Sequence, residues 1–283
     1  MTRRRRHEIP AHAPRSAVVT GAAGGIGTAI AAELVERGYR VLVTDLDGVA
    51  AEATAARIGA AGAAGYDVTD PAEAETVTTL ARDLAPLGAW VANAGVGFDG
   101  TTTGISAGHA RALVEINLLG PLWGARAAVA AYREQALAGT AHGGEIGVTA
   151  SLSALGPVPG LSVYAASKAG VLSLTSALAN EVRGEGIRVH AVNPDGVDTA
   201  LLRGMEPGGQ GQALVRSGML VTPEQVADAL VGMFGTSRVY RSVPAWRAAM
   251  MRLTGALPGP ALRLEPALRA FGAKRAKALG RNT

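Results

Sequence analysis

Tyr164 and Lys168 stand four positions apart in the run Tyr164-Ala-Ala-Ser-Lys168. On a helix, that spacing puts both side chains on one face. A phenol with an ordinary pKa of about 10 exchanges protons poorly at neutral pH. A neighbouring ammonium favours the phenolate and lowers that pKa, which suits the pair to proton exchange with an alcohol or carbonyl oxygen. Alone, such a pair is more often plain helix surface, so its weight depends on the rest of the chain.

A second chemical feature lies near the start, in Thr20-Gly-Ala-Ala-Gly-Gly-Ile-Gly27. Gly21, Gly25 and Gly27, with Ile26, join an apolar run to a stretch of helical spacing. Glycines there let the backbone turn sharply and approach a pyrophosphate with no side chain in the way. The free N–H groups and dipole of the following helix favour an anion. The alternative reading is a tight turn in a chain that holds 38 glycines. Asp45 follows Gly21 by 24 positions and ends the next apolar run. A carboxylate there accepts hydrogen bonds from both hydroxyls of an adenosine ribose and repels a 2′-phosphate. No Arg or Lys lies between Thr20 and Glu36, and Leu46 follows Asp45, so NAD is expected and NADP is less favoured. The competing role for Asp45 is to cap the next helix, with Asp47 as its rival.

The elements that must hold these residues alternate. Apolar, valine-rich runs at Ser16–Thr20, Arg40–Asp45, Ala89–Ala92, Glu145–Thr149 and Ile187–Val192 read as strands, with a further short one ending near Asp67. Helical spacing separates them, at Ile26–Arg37, Ala50–Ile58 and Ala72–Leu84 among others. Such alternation predicts an α/β fold: a Rossmann-like, doubly wound parallel sheet with both faces covered. The expected organisation is a disordered basic arm over 1–14, one domain over 15–245, and a basic helical C-terminal extension over 246–283. Trp246–Leu253 reads as helix, and prolines interrupt the pattern afterwards.

The composition fits one large core of small and branched side chains, with 48% hydrophobic and only 4% aromatic residues. The net charge of +4 sits in the ends. Residues 1–15 carry five Arg against one Glu, and residues 261–283 carry six bases against one Glu, which leaves the body at −5. An acidic body does not attract a phosphate backbone, so nucleic-acid binding is not expected. Without cysteine there is no disulfide, thiolate or Cys-based metal chemistry, and no metal site is expected. The arginines at 3–6 are not followed by an apolar stretch, and no run reaches membrane-spanning length, so a cytoplasmic protein is expected.

Taken together, the Gly21–Gly27 turn, Asp67-Val68, Asn93-Ala94-Gly95, Asn117, Ser151 and the Tyr164–Lys168 run resemble, in order, the motifs of short-chain dehydrogenases/reductases. The resemblance covers roughly residues 15–235 and points to the single-domain form of that family. It implies hydride transfer between a nicotinamide cofactor and an alcohol/carbonyl pair. Tyr164 is then the general acid/base, and Lys168 tunes it and binds the nicotinamide ribose. Ser151, 13 positions before Tyr164, holds the substrate oxygen; Ser153 has the wrong spacing. Asn117 anchors a water behind Lys168, its alternative being an Asn that satisfies helix backbone. Asp67 and Val68 contact the adenine. Asn93, with Ala94 and Gly95, lies beside the cofactor and braces the central strands. Pro194, Val197 and Thr199 lie near the nicotinamide.

The chain departs from the family at Asn193-Pro-Asp-Gly-Val-Asp-Thr199, where Asp195 replaces a glycine. Asp195 either alters substrate charge preference or makes a turn; the turn is the favoured reading. The family's usual last strand is replaced by Val239–Val243, which makes a homodimer through the helices bearing Asn117 and Tyr164 more expected than a tetramer. Leu201, Leu202, Met205, Met219 and Leu220, with Gly208, Gly209 and Gly211, read as an apolar lid. Leu152, Leu155, Val158 and Leu161 are expected on the facing wall, so a small apolar substrate is expected. The alternative for these residues is ordinary core. The tail, with Leu262, Leu264, Leu268, Phe271 and Leu279 among basic residues, suits weak contact with an anionic membrane surface, or packing on the body or pocket. Two rival functions are an NADP-dependent reductase of the same family and a catalytically silent NAD sensor.

Overall fold

The computed structural model describes residues 14–197, 199, 220–257 and 259. The basic arm, all of the predicted lid except Leu220, and the leucines of the tail lie outside the described residues.

Seven parallel strands form one sheet in the order β3-β2-β1-β4-β5-β6-β7. They are β1 (Ser16–Thr20), β2 (Arg40–Asp45), β3 (Gly62–Gly65), β4 (Leu87–Ala92), β5 (Gly144–Thr149), β6 (Ile187–Pro194) and β7 (Tyr240–Val243). The helices are α1 (Gly25–Glu36), α2 (Gly48–Ile58), α3 (Pro71–Leu84), α4 (Ala107–Val114), α5 (Gly120–Leu137), α6 (Ser162–Glu181), α7 (Pro223–Val231) and α8 (Ala245–Ala256). A π-helical turn at Glu115–Leu119 joins α4 to α5, and a 3-10 turn at Leu152–Leu155 follows β5. The chain winds one way from β1 to β3 and the other way from β4 onward. The strand order therefore reverses beside β1 and β4, where an open α/β sheet leaves a crevice at its carboxyl edge.

Period-2 alternation in the strands builds the two layers of core. Val18, Trp90 and Ile146 belong to one layer with Tyr132 of α5 and Val171 of α6. Ala17, Val19 and Val91 belong to the other, with Ile30 and Leu34 of α1 and Leu230 of α7. Each buried aliphatic side chain of this size contributes about 2 kcal/mol. Deleting one to alanine, Leu34 for example, costs about 3 kcal/mol because the layer cannot close the gap. Trp90, the largest fully buried side chain, rests against Gly124, where an added Cβ would lie 2.3 Å from the indole nitrogen.

Helix ends are set locally. Asp47 caps α2 by accepting from the N–H groups of Val49 and Ala50, Asp70 caps α3, and Thr222 and Gln225 form a capping box on α7. β7 is the predicted replacement strand, parallel to β6. Between β5 and β6, buried Glu145 binds the Arg188 guanidinium, His190 Nε2 (2.9 Å) and the Gly235 N–H (3.1 Å). The other ring nitrogen of His190 faces the Arg238 carbonyl at 2.6 Å. This cluster ties the sheet to the segment before β7, away from the carboxyl ends of the strands.

Candidate active site

A cleft of about 600 Å³ opens along the carboxyl edge of the sheet. Its walls include every cofactor-site residue read from the sequence: Gly21, Gly25, Ile26, Gly27, Asp45, Asp67, Val68, Asn93, Ala94, Gly95, Tyr164, Lys168, Pro194, Val197 and Thr199. Ser151 joins them, and Asn117 does not.

The Gly-rich turn is a backbone surface that tolerates nothing larger. Gly21 adopts φ +61, and a Cβ there would lie 2.7 Å from the Ala94 Cα. A Cβ on Gly27 would lie 2.3 Å from the Gly21 carbonyl. Gly24 caps α1 without any side-chain hydrogen bond, so the first N–H groups of the helix are left for a ligand. Asp45 Oδ2 accepts from the Ala23 N–H at 3.0 Å, which ties β2 to this turn and points the carboxylate into the cleft. Asp47 holds the helix cap, which removes the capping alternative for Asp45. Leu46, beside it, is 76% exposed. A bare N-terminal helix end beside a carboxylate suits a dinucleotide: N–H groups for phosphate, an acceptor for ribose hydroxyls.

Asn93 braces the strands. Its Nδ2 donates to the carbonyls of Thr20 (3.0 Å) and Gly21 (3.2 Å), and its Oδ1 accepts from Thr149 Oγ1 (3.0 Å). One side chain thus links β1, β4 and β5. Asp67 accepts from the backbone and hydroxyl of Thr69, which fixes its loop at the cleft wall. Tyr66, which the sequence reading passed over, also lines the cleft; its hydroxyl is buried without a partner, and burial raises its pKa.

At the other end stand Ser151, Tyr164 and Lys168. Ser151 follows β5 and caps the 3-10 turn by accepting from the Ser153 N–H. Its hydroxyl also hydrogen-bonds Tyr164. Lys168, 5% exposed, donates to the Thr149 carbonyl at 2.9 Å, and its Nζ lies 5.9 Å from the Tyr164 ring centre. Burial pushes the Lys168 pKa down to about 8. Burial likewise raises the Tyr164 phenol above its ordinary value, with the Ser151 hydrogen bond acting against it. The expected lowering of Tyr164 by Lys168 is therefore not what the pocket gives by itself. The dry wall penalises both charged forms, and the ammonium is directed at a carbonyl.

Asn117 is buried in the π-helical turn, behind the cleft. Its Oδ1 accepts from the Val96 N–H and its Nδ2 donates to the Val96 carbonyl, both at 2.9 Å. Its side chain thus clamps the segment after β4, close to the alternative of an Asn satisfying backbone. π-turns of this kind recur beside functional sites.

Leu152, Val158 and Leu161 line the cleft, and Val158, Tyr164 and Leu220 pack against Leu161. Leu155 does not line it; it packs into the core layer, and α8 covers its carbonyl at Gly255. Asp195 departs from the favoured turn reading. It lines the cleft and its carboxylate binds the guanidinium of Arg247 from α8. Burial raises the Asp195 pKa, with Arg247 opposing. The sequence offered no local signal for this partner.

A Gly-lined crevice at the strand-order reversal and a Ser–Tyr–Lys wall define a Rossmann-type nucleotide-binding oxidoreductase site. A profile of the short chain dehydrogenase family matches residues 15–208, and the chain belongs to that family. It is 31% identical over 227 residues to 2-(S)-hydroxypropyl-CoM dehydrogenase 3 of Xanthobacter autotrophicus, covering 77% of this chain and 83% of that protein. It is 35% identical over 227 residues to cis-4-hydroxycyclohexanecarboxylate dehydrogenase of Sinomonas cyclohexanicum, covering 78% and 89%. A crystal structure of a short chain dehydrogenase/reductase from Burkholderia phymatum in complex with NAD superposes with a TM-score of 0.75 at 25% identity, covering 85% of this chain and 92% of that one. The protein is thus an oxidoreductase of alcohol and carbonyl groups that uses a nicotinamide cofactor. Among the described residues, no helix is long and apolar enough to cross a membrane and no cluster of side chains suits a metal ion.

Proposed function

We propose that the chain moves hydride between NAD(H) and a secondary alcohol or ketone on a small, mostly apolar molecule, with Tyr164 as general acid/base. The observation that carries this reading is the convergence of Ser151, Tyr164 and Lys168 on the wall of a cleft whose other end holds Asp45 and the bare start of α1.

The nicotinamide, when bound, supplies the hydride chemistry. The chain's own residues do the rest. Ser151 holds the substrate oxygen through its hydroxyl. In oxidation, Tyr164 Oη takes the hydroxyl proton as the carbon gives up hydride; in reduction it returns that proton. Lys168 binds the nicotinamide ribose and supplies positive charge beside the phenolate. Asn117 fixes the Val96 backbone behind it and anchors a water there. Asp67 and Val68 meet the adenine, and Pro194, Val197 and Thr199 the carboxamide end. Asp45 selects NAD over NADP: among the described residues lining the cleft only Lys168 and Arg247 are basic, and neither stands at the end of β2.

Leu152, Val158, Leu161 and Leu220 support an apolar substrate body. The cyclic secondary alcohol named for the Sinomonas relative fits such a wall. The catalytic unit is the domain over 15–245, completed at the cleft by α8 at the start of the extension over 246–283, working in the cytoplasm as a homodimer through the helical segments that bear Asn117 and Tyr164, with the basic remainder of the extension touching an anionic surface. A panel of alcohols and ketones, followed by NADH absorbance, tests the reading. Turnover of apolar secondary alcohols or ketones is expected; turnover confined to sugars overturns the substrate class.

A further inference from the structure

We propose that Arg247, oriented by Asp195, binds a carboxylate carried by the substrate at the end of the cleft beside β6. The proposal rests on the reading of this cleft as an alcohol/ketone site and adds a second anchor to it.

The pair is built for display rather than for packing. Asp195 follows β6 directly, and its N–H donates to the Val243 carbonyl at 2.8 Å, which fixes the carboxylate's backbone. Arg247 lies in the first turn of α8, which packs on the 3-10 turn and leaves Gly156 against the Met251 carbonyl. Both residues line the cleft. Asp195 is 6% exposed and Arg247 25%, so the carboxylate sits behind and the guanidinium faces the open space. Only Nη1 of the guanidinium is sealed from solvent, against Asp195. Among the described residues no acceptor meets Nε or Nη2. A guanidinium carries five N–H donors in a planar fork that matches a carboxylate. Most of that capacity is unspent here.

A buried ion pair is weak as a device for stability, because desolvation consumes most of its Coulombic gain and an apolar pair packs as well. An arginine with its fork open to a substrate cleft serves recognition instead. Its place in the first turn of a helix points the same way, since that end favours an anion. Ser153, on the same cleft, holds a buried hydroxyl with no partner. Around these polar groups stand Leu152, Val158, Leu161 and Met251. The arrangement fits a substrate with an apolar body, a hydroxyl or ketone at Tyr164, and a carboxylate at Arg247.

The test uses the full chain with cyclohexanecarboxylate and its methyl ester as binding probes, measured by calorimetry with NAD present. Turnover of the matched hydroxy acid and hydroxy ester is measured alongside. The acid is expected to bind the unmodified protein at least about tenfold more tightly than the ester, the scale of one charge-assisted hydrogen-bonded pair. In Arg247→Met that preference disappears: acid and ester bind alike, and the ratio of acid to ester turnover falls by about tenfold or more, with thermal unfolding of the variant reporting its fold. Arg247→Lys, which keeps the charge and loses the fork, falls between them. Equal binding of acid and ester by the unmodified protein overturns the assignment. So does an equal loss of acid and ester turnover in Arg247→Met, with the acid-to-ester ratio unchanged, which makes the pair a strut for α8. Carboxylate binding without turnover of any alcohol or ketone leaves the Arg247 site standing and sinks the dehydrogenase reading.

Discussion

The ammonium of Lys168 lies 5.9 Å from the centre of the Tyr164 ring, and its hydrogen bond goes to the Thr149 carbonyl. The lysine is thus held beside the phenol, in a dry wall, by the end of a central strand.

That position costs stability. The folded pKa of Lys168 is lowered from 10.5 to about 8. The unfolded chain therefore binds this proton more readily, and the penalty, roughly 3 kcal/mol, is fully present below about pH 8 and relieved as pH rises towards 10.5. Lys168→Met is expected to abolish turnover and to raise unfolding stability at pH 7 by about 1–2 kcal/mol, after the loss of the Thr149 hydrogen bond. Urea unfolding at pH 7 and pH 10 measures this: the gain shrinks at the higher pH. A variant less stable at pH 7 contradicts it.

With Tyr164 as the proposed acid/base, the pH dependence is expected to have opposite sign in the two directions. Burial raises its pKa from 10.0, so the phenol is the form present at neutral pH. Alcohol oxidation needs the phenolate and speeds up from pH 7 towards 10. Carbonyl reduction needs the phenol, stays level through neutral pH and falls only in the alkaline range. Profiles of kcat/KM in both directions check this; an oxidation rate that falls above pH 8 contradicts it.

The proposed preference for NAD rests on Asp45. Asp45→Ser is expected to lower the ratio of kcat/KM for NADH over NADPH by about tenfold or more, the worth of a hydrogen bond to a charged group. It also leaves the Ala23 N–H without its acceptor, so use of NADPH does not rise to the unmodified protein's rate with NADH. An unchanged ratio removes Asp45 from the selection.

Asn117 clamps both polar groups of Val96. Asn117→Ala leaves a part-buried N–H and carbonyl unpaired, at a cost of about 2 kcal/mol, and loosens the strand end that carries Gly95. Thermal unfolding is expected to shift down by a few degrees, with kcat reduced below that transition. An unchanged midpoint contradicts the clamp.

The local features of the fold were the legible ones. β1 and β2 run over the residues that their valine-rich runs mark, and Tyr164 and Lys168 share the helix face that their spacing requires. β3, Gly62–Gly65, ends two residues before Asp67, near where a short strand is expected; Gly-Ala-Ala-Gly carries no strand preference of its own, and it is a strand because it pairs with β2. The Asp195–Arg247 pair was illegible: 52 positions separate its members, and no periodicity encodes a contact between a strand end and the first turn of α8. Leu155, expected on the wall facing the lid, packs instead into the core layer and against α8. Burial, a property of the assembled wall, governs Tyr164 where sequence spacing pointed to Lys168.

The proposed exchange of a proton by Tyr164 during hydride transfer is tested most directly by Tyr164→Phe, with turnover of a secondary alcohol and NADH affinity measured on the same preparation. Turnover is expected to fall by about a thousandfold while the NADH Kd stays within about threefold. Turnover within tenfold of the unmodified protein, with NADH still bound, contradicts it.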